Sequence, residues 1–362
     1  MSKTFLIMAG GTGGHVFPAL ATARKLQQKG GEIVWLGSKG GFEERVISEQ
    51  GIPFFGLSIS GLRGKGIQTL LLAPIRIAMA LYQACAVMSK VKPACVLGMG
   101  GFASGPGGIA ARLFRKPLVI HEQNAVAGMT NRLLSRVASQ VFEAFPNSFG
   151  SDTETEVVGN PVREEIVRLS YEVEKKHVVA ESGKKLRLLI VGGSLGALKL
   201  NQVVPSAISQ LSEDLRPEIR HQTGRGKLDA TREAYRAQNV DADVSEFIDD
   251  MAAAYSWADL VICRAGALTV SELCVAGVGA ILVPYPYAVD DHQTLNAKIM
   301  VDGGAAWLAP ESELTAEALA EMIKPLLAKP ERVARLSAAA RTLAKPHAAD
   351  RVAQACWSLS DV

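Results

Sequence analysis

The 362-residue chain has little of what would cross-link it, capture a metal or carry it through a membrane. Its five cysteines, Cys85, Cys95, Cys263, Cys274 and Cys356, are odd in number and scattered, with no Cys-x-x-Cys pair and no Cys/His ligand cluster. A disulfide framework and a structural zinc site are therefore disfavoured, and a reducing cytoplasm fits best. No apolar run reaches the roughly 18 residues that a spanning helix needs. The most apolar candidate, Thr69 to Met88, is interrupted by Pro74 and Arg76. The N-terminal run Thr4 to Ala9 is short, shows no cleavage-site pattern and meets glycines at once, so it is not read as a signal peptide. An integral membrane protein is excluded on this pattern, whereas a peripheral one is not. Two nucleotide-binding motifs are also missing. A Gly-x-Gly-x-x-Gly fingerprint started at Gly11 would need glycine where Val16 stands, and no Gly-x-x-x-x-Gly-Lys-Ser/Thr occurs. A nicotinamide dinucleotide site and a P-loop are both disfavoured.

Glycine and apolar residues are plentiful: 34 glycines, with 48% hydrophobic and 21% charged residues. That balance belongs to a protein with a large core, and the length suggests two domains. Net charge is only +3, but residues 1–163 hold 17 Lys and Arg against 9 Asp and Glu, and the remainder 22 against 27. The basic half suits an anionic partner such as a phospholipid surface or a lipid phosphate, although two ordinary solvated surfaces read the same way. No nucleic-acid partner is expected.

Short apolar runs alternate with helical patterns. Strand-like runs fall at Glu32–Leu36, Ala94–Leu97, Pro117–Ile120, Val141–Ala144, Leu186–Val191, Leu260–Cys263 and Ala280–Val283, and helical patterns at Pro18–Lys29 and Leu268–Ala276. Near-continuous apolar strands between helices predict α/β domains with parallel sheets covered on both faces. The boundary is expected after Val157–Arg163. A charged linker or peripheral helix follows over Glu164–Lys185, and the stretch from about Pro346 is helical in pattern and able to pack on either domain.

Glycine-rich turns follow several strands. Gly10-Gly11-Thr12-Gly13-Gly14 comes after Thr4–Ala9, and Gly192-Gly193-Ser194-Leu195-Gly196 after Leu186–Val191. A third, Gly98 to Gly108, contains Gly101, Ser104 and Gly105. Glycines let a backbone approach a phosphate, and a following helix N-terminus favours negative charge. His15, at such a helix start, reads either as a neutral base or as a structural histidine. His121, Glu122, Gln123 and Asn124 end a strand, where His121 and Glu122 read equally as acid/base groups or as a polar network holding loops. Arg264 to Glu272 is a small-residue turn entering a helix, whose amides suit a pyrophosphate. Glu272 suits two ribose hydroxyls or, alternatively, complements the helix dipole. Gln293 and Asn296 are three apart and share a helix face, and their amides suit sugar hydroxyls. Phe247-Ile248 is compatible with an edge strand whose backbone reads a base. The basic loop Ser60–Gly66, with Arg63 and Lys65, precedes an apolar region carrying Leu71, Ile75, Met79 and Tyr82. That region reads either as core or as a peripheral membrane contact.

Taken in order, GGTGGHVFPAL at 10–20, SGLRGKG at 60–66, GMGGFASGPGG at 98–108, HEQNAVAG at 121–128, VGNPVR at 158–163, GGSLGA at 192–197, FIDDMAAAYSWAD at 247–259 and CRAGALTVSE at 263–272 closely resemble the MurG family of N-acetylglucosaminyltransferases of peptidoglycan synthesis. The resemblance covers nearly the whole chain and implies the GT-B glycosyltransferase fold: two Rossmann-like domains with parallel sheets facing a deep cleft. Residues 1–163 with about 345–362 would take lipid I and associate with the membrane, and 164–344 would bind UDP-N-acetylglucosamine. It implies inverting transfer of N-acetylglucosamine to the muramoyl C4 hydroxyl of lipid I, giving lipid II. Ser194 and the segment Ala267, Leu268, Thr269, Val270, Ser271 and Glu272 would hold the diphosphate and ribose, with Ile248 on uracil and Gln293 and Asn296 on the sugar. Thr12, Gly13, Gly14, Asn124 and Arg163 match donor positions. Gly10, Gly11, Gly101, Ser104 and Gly105 would face the acceptor diphosphate, and His15 matches the candidate base. The 67–88 region matches a membrane patch, which implies an anionic phospholipid surface, a peripheral place on the cytoplasmic face of the bacterial inner membrane, and possible cell-wall synthesis and division partners. Tyr171–Lys185 matches no family motif. No cofactor is required by the sequence. No Asp-x-Asp of the nucleotide–metal kind is evident, and divalent-cation dependence stays open. A UDP-N-acetylglucosamine 2-epimerase of the same fold and a non-catalytic nucleotide-sugar-binding protein are the alternatives.

Overall fold

A computed structural model describes residues 3–59, 73–171, 185–193 and 195–361. The chain forms two compact units, residues 1–163 with 346–362 and residues 164–345. In the first, β1 (Thr4–Met8), β2 (Glu32–Ser38), β3 (Phe54–Leu57), β4 (Cys95–Gly98), β5 (Leu118–Glu122), β6 (Gln140–Glu143) and β7 (Glu156–Val157) make a sheet of order β3-β2-β1-β4-β5-β6-β7. In the second, β8 (Arg187–Val191), β9 (Glu218–Gln222), β10 (Asp243–Ser245), β11 (Leu260–Cys263), β12 (Gly279–Leu282) and β13 (Ala306–Leu308) are ordered β10-β9-β8-β11-β12-β13. Every pairing is parallel.

The side-chain alternation of a strand explains why β1 is apolar from Phe5 to Met8. Phe5 and Ile7 point into a cluster with Val16, Ala19, Ala23 and Leu26 of the Gly13–Gln28 helix. Leu6 and Met8 point to the other face, with Ala84, Val87 and Met88 of the Ala73–Val91 helix and Ala110 and Ala111 of the Ser104–Leu113 helix. A strand buried on both faces has no polar position to spare. By contrast β3, β7, β9, β10 and β13 lie at or beside sheet edges and are partly exposed; β7, β9 and β10 interleave polar residues, and β3 and β13 are short.

The C-terminal helix, Ala348–Leu359, belongs to the first unit. Val352, Ala353, Ala355 and Cys356 enter its core, Trp357 stacks on Phe5 with centroids 5.5 Å apart, and Arg351 pairs with Glu156 through bonds of 2.7 and 2.6 Å. One boundary differs from the sequence pattern, and the peripheral-helix reading of the charged segment is met in part. The first helix starts at Gly13 rather than Pro18, and carries Pro18 as its sixth residue, where the ring gives up one intrahelical bond and crowds the preceding turn, a cost that the packing of Val16, Ala19, Leu20, Ala23 and Leu26 offsets. The charged segment after the boundary opens with a helix, Glu164–Leu169, that packs beside the Met251–Trp257 and Ala267–Ala276 helices of the second unit. Residues 172–184 lie outside the described residues.

Candidate active site

In each sheet the winding reverses between two neighbouring strands, β1 and β4 in the first unit and β8 and β11 in the second. At such a switch point the two following loops diverge and leave a crevice at the carboxyl ends of the strands. The Gly10–Gly14 and Gly98–Gly105 turns follow β1 and β4, and Gly192–Gly196 and Arg264–Gly266 follow β8 and β11. Four of the small-residue turns singled out in the sequence therefore sit at the two switch points.

In the first unit the two loops touch backbone to backbone. Gly101 has φ +91°, and a Cβ there would lie 2.6 Å from Gly10 O. Gly100, at φ +94°, leaves room for His15, whose Cδ2 would be 2.7 Å from a Cβ at that position. His15 is the third residue of its helix, and Thr12 O accepts from its N–H at 3.1 Å. Thr12 is exposed and its side chain makes no capping bond. Gly13 and Gly14 open the helix, where N–H groups have no intrahelical acceptor.

At two of the expected acceptor positions the polar groups are already engaged within the protein. The Gly11 N–H already donates to Glu43 Oε2 at 3.1 Å, and Glu43 Oε1 accepts from Ser38 N–H at 2.9 Å. Glu43 is fully buried behind Gly10, so a carboxylate backs this part of the loop and opposes a second anion there. Nothing in the sequence distinguishes Glu43 from an ordinary helix-start carboxylate. Ser104 is also fully buried, and its hydroxyl sits 2.8 Å from Gly100 O and 3.1 Å from Met8 O. It pins the loop to β1 rather than facing a ligand. Gly105 follows in the first turn of the Ser104–Leu113 helix.

At the end of β5, His121 and Glu122 form a network. Gly159 O lies 2.9 Å from His121 Nε2, and Gln123 Nε2 lies 3.1 Å from Nδ1, so the ring is neutral with its proton on Nε2 and both nitrogens engaged. Glu122 accepts from Asn124 N–H, Gly128 N–H and Asn131 Nδ2 at 2.9, 3.1 and 2.9 Å. Asn124 is thereby fixed and half-buried, and the Arg163 guanidinium stands 5.8 Å from the Phe17 ring.

In the second unit, Gly266 hands the chain from extended backbone into the Ala267–Ala276 helix without a capping side chain. Ala267 and Val270 point inward, whereas Leu268, Thr269 and Ser271 are half-buried. Glu272 is the sixth residue of this helix, past the first turn, so it does not serve as a terminal dipole partner. It is 4% exposed, and Tyr255 donates its hydroxyl to Oε2 at 3.2 Å. Burial, helped by the nearby Glu272 charge, pushes the Cys263 thiol up to about 12. Gln293 accepts from Tyr285 N–H at 3.0 Å. Asn296 shares the helix with it but is fully buried and donates to Ala265 O at 3.2 Å, holding the turn instead of facing outward. Ahead of this helix Asp290 and Asp291 have φ of 53° and 50°, a conformation that is strained for both. Ile248 is not in a strand but in the loop beyond the edge strand β10. An Asp-x-Asp triplet does occur, Asp241-Ala242-Asp243. It leads into β10, where Asp243 pairs with Arg220 at 3.7 Å.

On the Ala73–Val91 helix, Ile75, Met79 and Tyr82 lie on one face and are 65%, 51% and 73% exposed, so they are not core. Ser194, Arg63, Lys65 and Leu71 lie outside the described residues. Among the described residues no helix is long and apolar enough to cross a membrane.

These two doubly wound units, each with small-residue loops at its switch point, define a two-domain α/β protein with an arrangement suited to anionic ligands, and comparison with known proteins shows which one. The models of the glycosyltransferase family 28 N-terminal and C-terminal domains match residues 5–143 and 187–352, and the chain belongs to that family. It is 57% identical, over 98% of this chain and 97% of the relative, to the UDP-N-acetylglucosamine–N-acetylmuramyl-(pentapeptide) pyrophosphoryl-undecaprenol N-acetylglucosamine transferase of Marinobacter nauticus. Among solved structures, MurG of Acinetobacter baumannii matches with a TM-score of 0.85 and 43% identity, covering 98% of this chain and 99% of that one. A UDP-GlcNAc 2-epimerase from Neisseria meningitidis matches with a TM-score of 0.66 at 13% identity, covering 99% of this chain and 100% of that one, a likeness of fold alone.

Two buried histidines give the units a common acid sensitivity. Burial lowers His121 from 6.5 to about 4, against the opposing Gly159 bond and Glu122 charge. Burial likewise lowers His221 from 6.5 to about 3. Each folded value lies below the unfolded one, so the unfolded chain binds more protons in between. The stability is complete above pH 6.5 and is lost as pH falls toward those values. Urea melts should show a loss of about 2–3 kcal/mol for each histidine between pH 7.5 and 4.5. Equal stability at both pH values would contradict the buried neutral assignment.

Proposed function

We propose that this chain is an inverting transferase that moves N-acetylglucosamine from UDP-N-acetylglucosamine to the muramoyl C4 hydroxyl of undecaprenyl-pyrophosphoryl-MurNAc-pentapeptide, lipid I, and so makes lipid II for peptidoglycan. The observation that carries the reading is the 57% identity, across 98% of the chain, to a transferase of that name. The glycine-rich loops at both switch points supply matching chemistry, because donor and acceptor each carry a diphosphate. The 2-epimerase reading has structural likenesses of 18% and 13% identity behind it, which speak to the fold alone.

In this reading the second unit binds the donor. Backbone amides of the Ala267–Ser271 turn meet the diphosphate, Glu272 the ribose, Gln293 the sugar and the Ile248 backbone the uracil. Asn296 contributes by holding Ala265. The first unit takes the acceptor diphosphate at Gly101 and Gly105. The muramoyl O4 attacks the anomeric carbon as the bond to the UDP β-phosphate oxygen breaks on the opposite face, and the electron pair leaves with UDP. His15 takes the hydroxyl proton, and the N-terminus of the Ala267–Ala276 helix meets the charge that develops on the leaving group. The exposed face of Ile75, Met79 and Tyr82, with the basic Arg63 and Lys65, is assigned to an anionic phospholipid surface on the cytoplasmic side of the membrane.

UDP release from UDP-N-acetylglucosamine should require a lipid I analogue. Release without an acceptor, or none at all, would sink the transferase reading. Glu272→Ala should raise KM for the nucleotide sugar by about tenfold or more, the value of one or two charge-assisted hydrogen bonds. Unchanged kinetics would remove its ribose role. His15→Ala should lower kcat by roughly 100-fold or more with little change in donor affinity, and a mild effect would return the residue to a structural part.

A further inference from the structure

Three consecutive buried polar residues, His221, Gln222 and Thr223, stand at the carboxyl end of β9. A buried amide is retained where its hydrogen bonds are satisfied, and the Gln222 side chain is engaged at both ends. Its Oε1 accepts from Gly193 N–H at 2.9 Å, and its Nε2 donates to Gly193 O at 3.0 Å and to Glu246 O at 2.9 Å. The surrounding backbone repeats the tie. Gly192 N–H donates to Gln222 O at 3.0 Å, Thr223 N–H to Ser245 O at 2.9 Å, and Gly224 N–H to Glu246 O at 3.1 Å.

The layer beneath is also satisfied. Asn201 Nδ2 donates to Thr223 O at 3.1 Å, which leaves Asn201 Oδ1 to accept from His221 Nε2 at 3.0 Å, and Tyr235 then donates its hydroxyl to His221 Nδ1 at 2.9 Å. Gly196 lies so close to Thr223 O that a Cβ would collide with it. β9 sits between β8 and β10, so one side chain rooted in it joins the glycine loop that follows β8 to the Glu246–Ile248 segment that follows β10. Only a carboxamide both accepts from the Gly193 N–H and donates to two carbonyls at this site.

We propose that Gln222 is a positioning residue that sets the spacing between the Gly192–Gly196 loop and the Glu246–Ile248 segment, so that a nucleoside diphosphate is held by its diphosphate and its base at once. The proposal rests on the reading of the second unit as the donor-binding unit. A ligand that spans two loops gains the full benefit of both only when their separation is set beforehand, and a fragment that uses one loop does not.

The test titrates the full-length protein and its Gln222→Leu and Gln222→Glu variants with UDP, uridine and inorganic pyrophosphate, alongside thermal melts and steady-state kinetics. Wild type should bind UDP. Both variants should lose about tenfold or more in UDP affinity, the worth of the lost bonds. Uridine and pyrophosphate should each change by less than about twofold, as expected for ligands that do not report the coupling. KM for the nucleotide sugar should rise while kcat holds. Should the leucine variant fail to fold, the isosteric Gln222→Glu, which keeps the acceptor for Gly193 and loses both donations, carries the test. Equal losses for UDP and either fragment, or unchanged UDP affinity, would overturn the spacing role while leaving the donor reading intact. A wild-type protein that does not bind UDP would overturn both.

Discussion

Close approach of two backbones at the carboxyl end of each sheet is the constraint on which the rest depends. In the first unit Gly101 lies on Gly10, and in the second Gly196 lies on the Thr223 carbonyl. Any side chain at Gly101 or Gly196 would push the loops apart, and both residues already have the positive φ that glycine adopts without cost. In the first unit that approach lies at the β1/β4 switch point, where the start of the Gly13–Gln28 helix adds unpaired N–H groups of the kind that suit an anion.

The buried carboxylates and amides around these loops serve that approach. Glu43 secures Gly11 and Ser38, Glu122 gathers the Asn124–Asn131 turn, and Ser104 ties Gly100 to β1. In the second unit Asn296 holds Ala265 and Gln222 holds Gly193. Each such group offsets its desolvation with several hydrogen bonds, which makes it costly to move and keeps the ligand-facing backbone in place. Several polar residues that the sequence marks as ligand contacts thus bond to the protein's own backbone.

How far a residue was legible depended on whether its role is local. β1, β8 and β11 could be read because strands buried on both faces must be apolar along their length. The glycine turns could be read because positive φ and tight approach restrict the residue type. Ser104 and Asn296 could not be placed: a serine in a glycine-rich turn and an asparagine one helical turn beyond a glutamine have the same chemistry whether they face a ligand or a carbonyl. Glu43 and Gln222 were missed for the same reason. The glycines they hold, Gly11 and Gly193, lie 32 and 29 residues away in sequence and meet them only through strand order.

The amino-acid sequence by itself determined the class of fold, the two parallel sheets, the positions of the glycine turns and the family, because apolar periodicity and glycine content are read locally and in order along the chain. Tertiary structure alone decided which of those turns share a switch point, that Ile75, Met79 and Tyr82 face outward, and that His121, Ser104 and Asn296 are spent on the protein's own backbone. Those facts depend on which strands become neighbours, and strand order is set by packing among distant segments rather than by any residue's own preference.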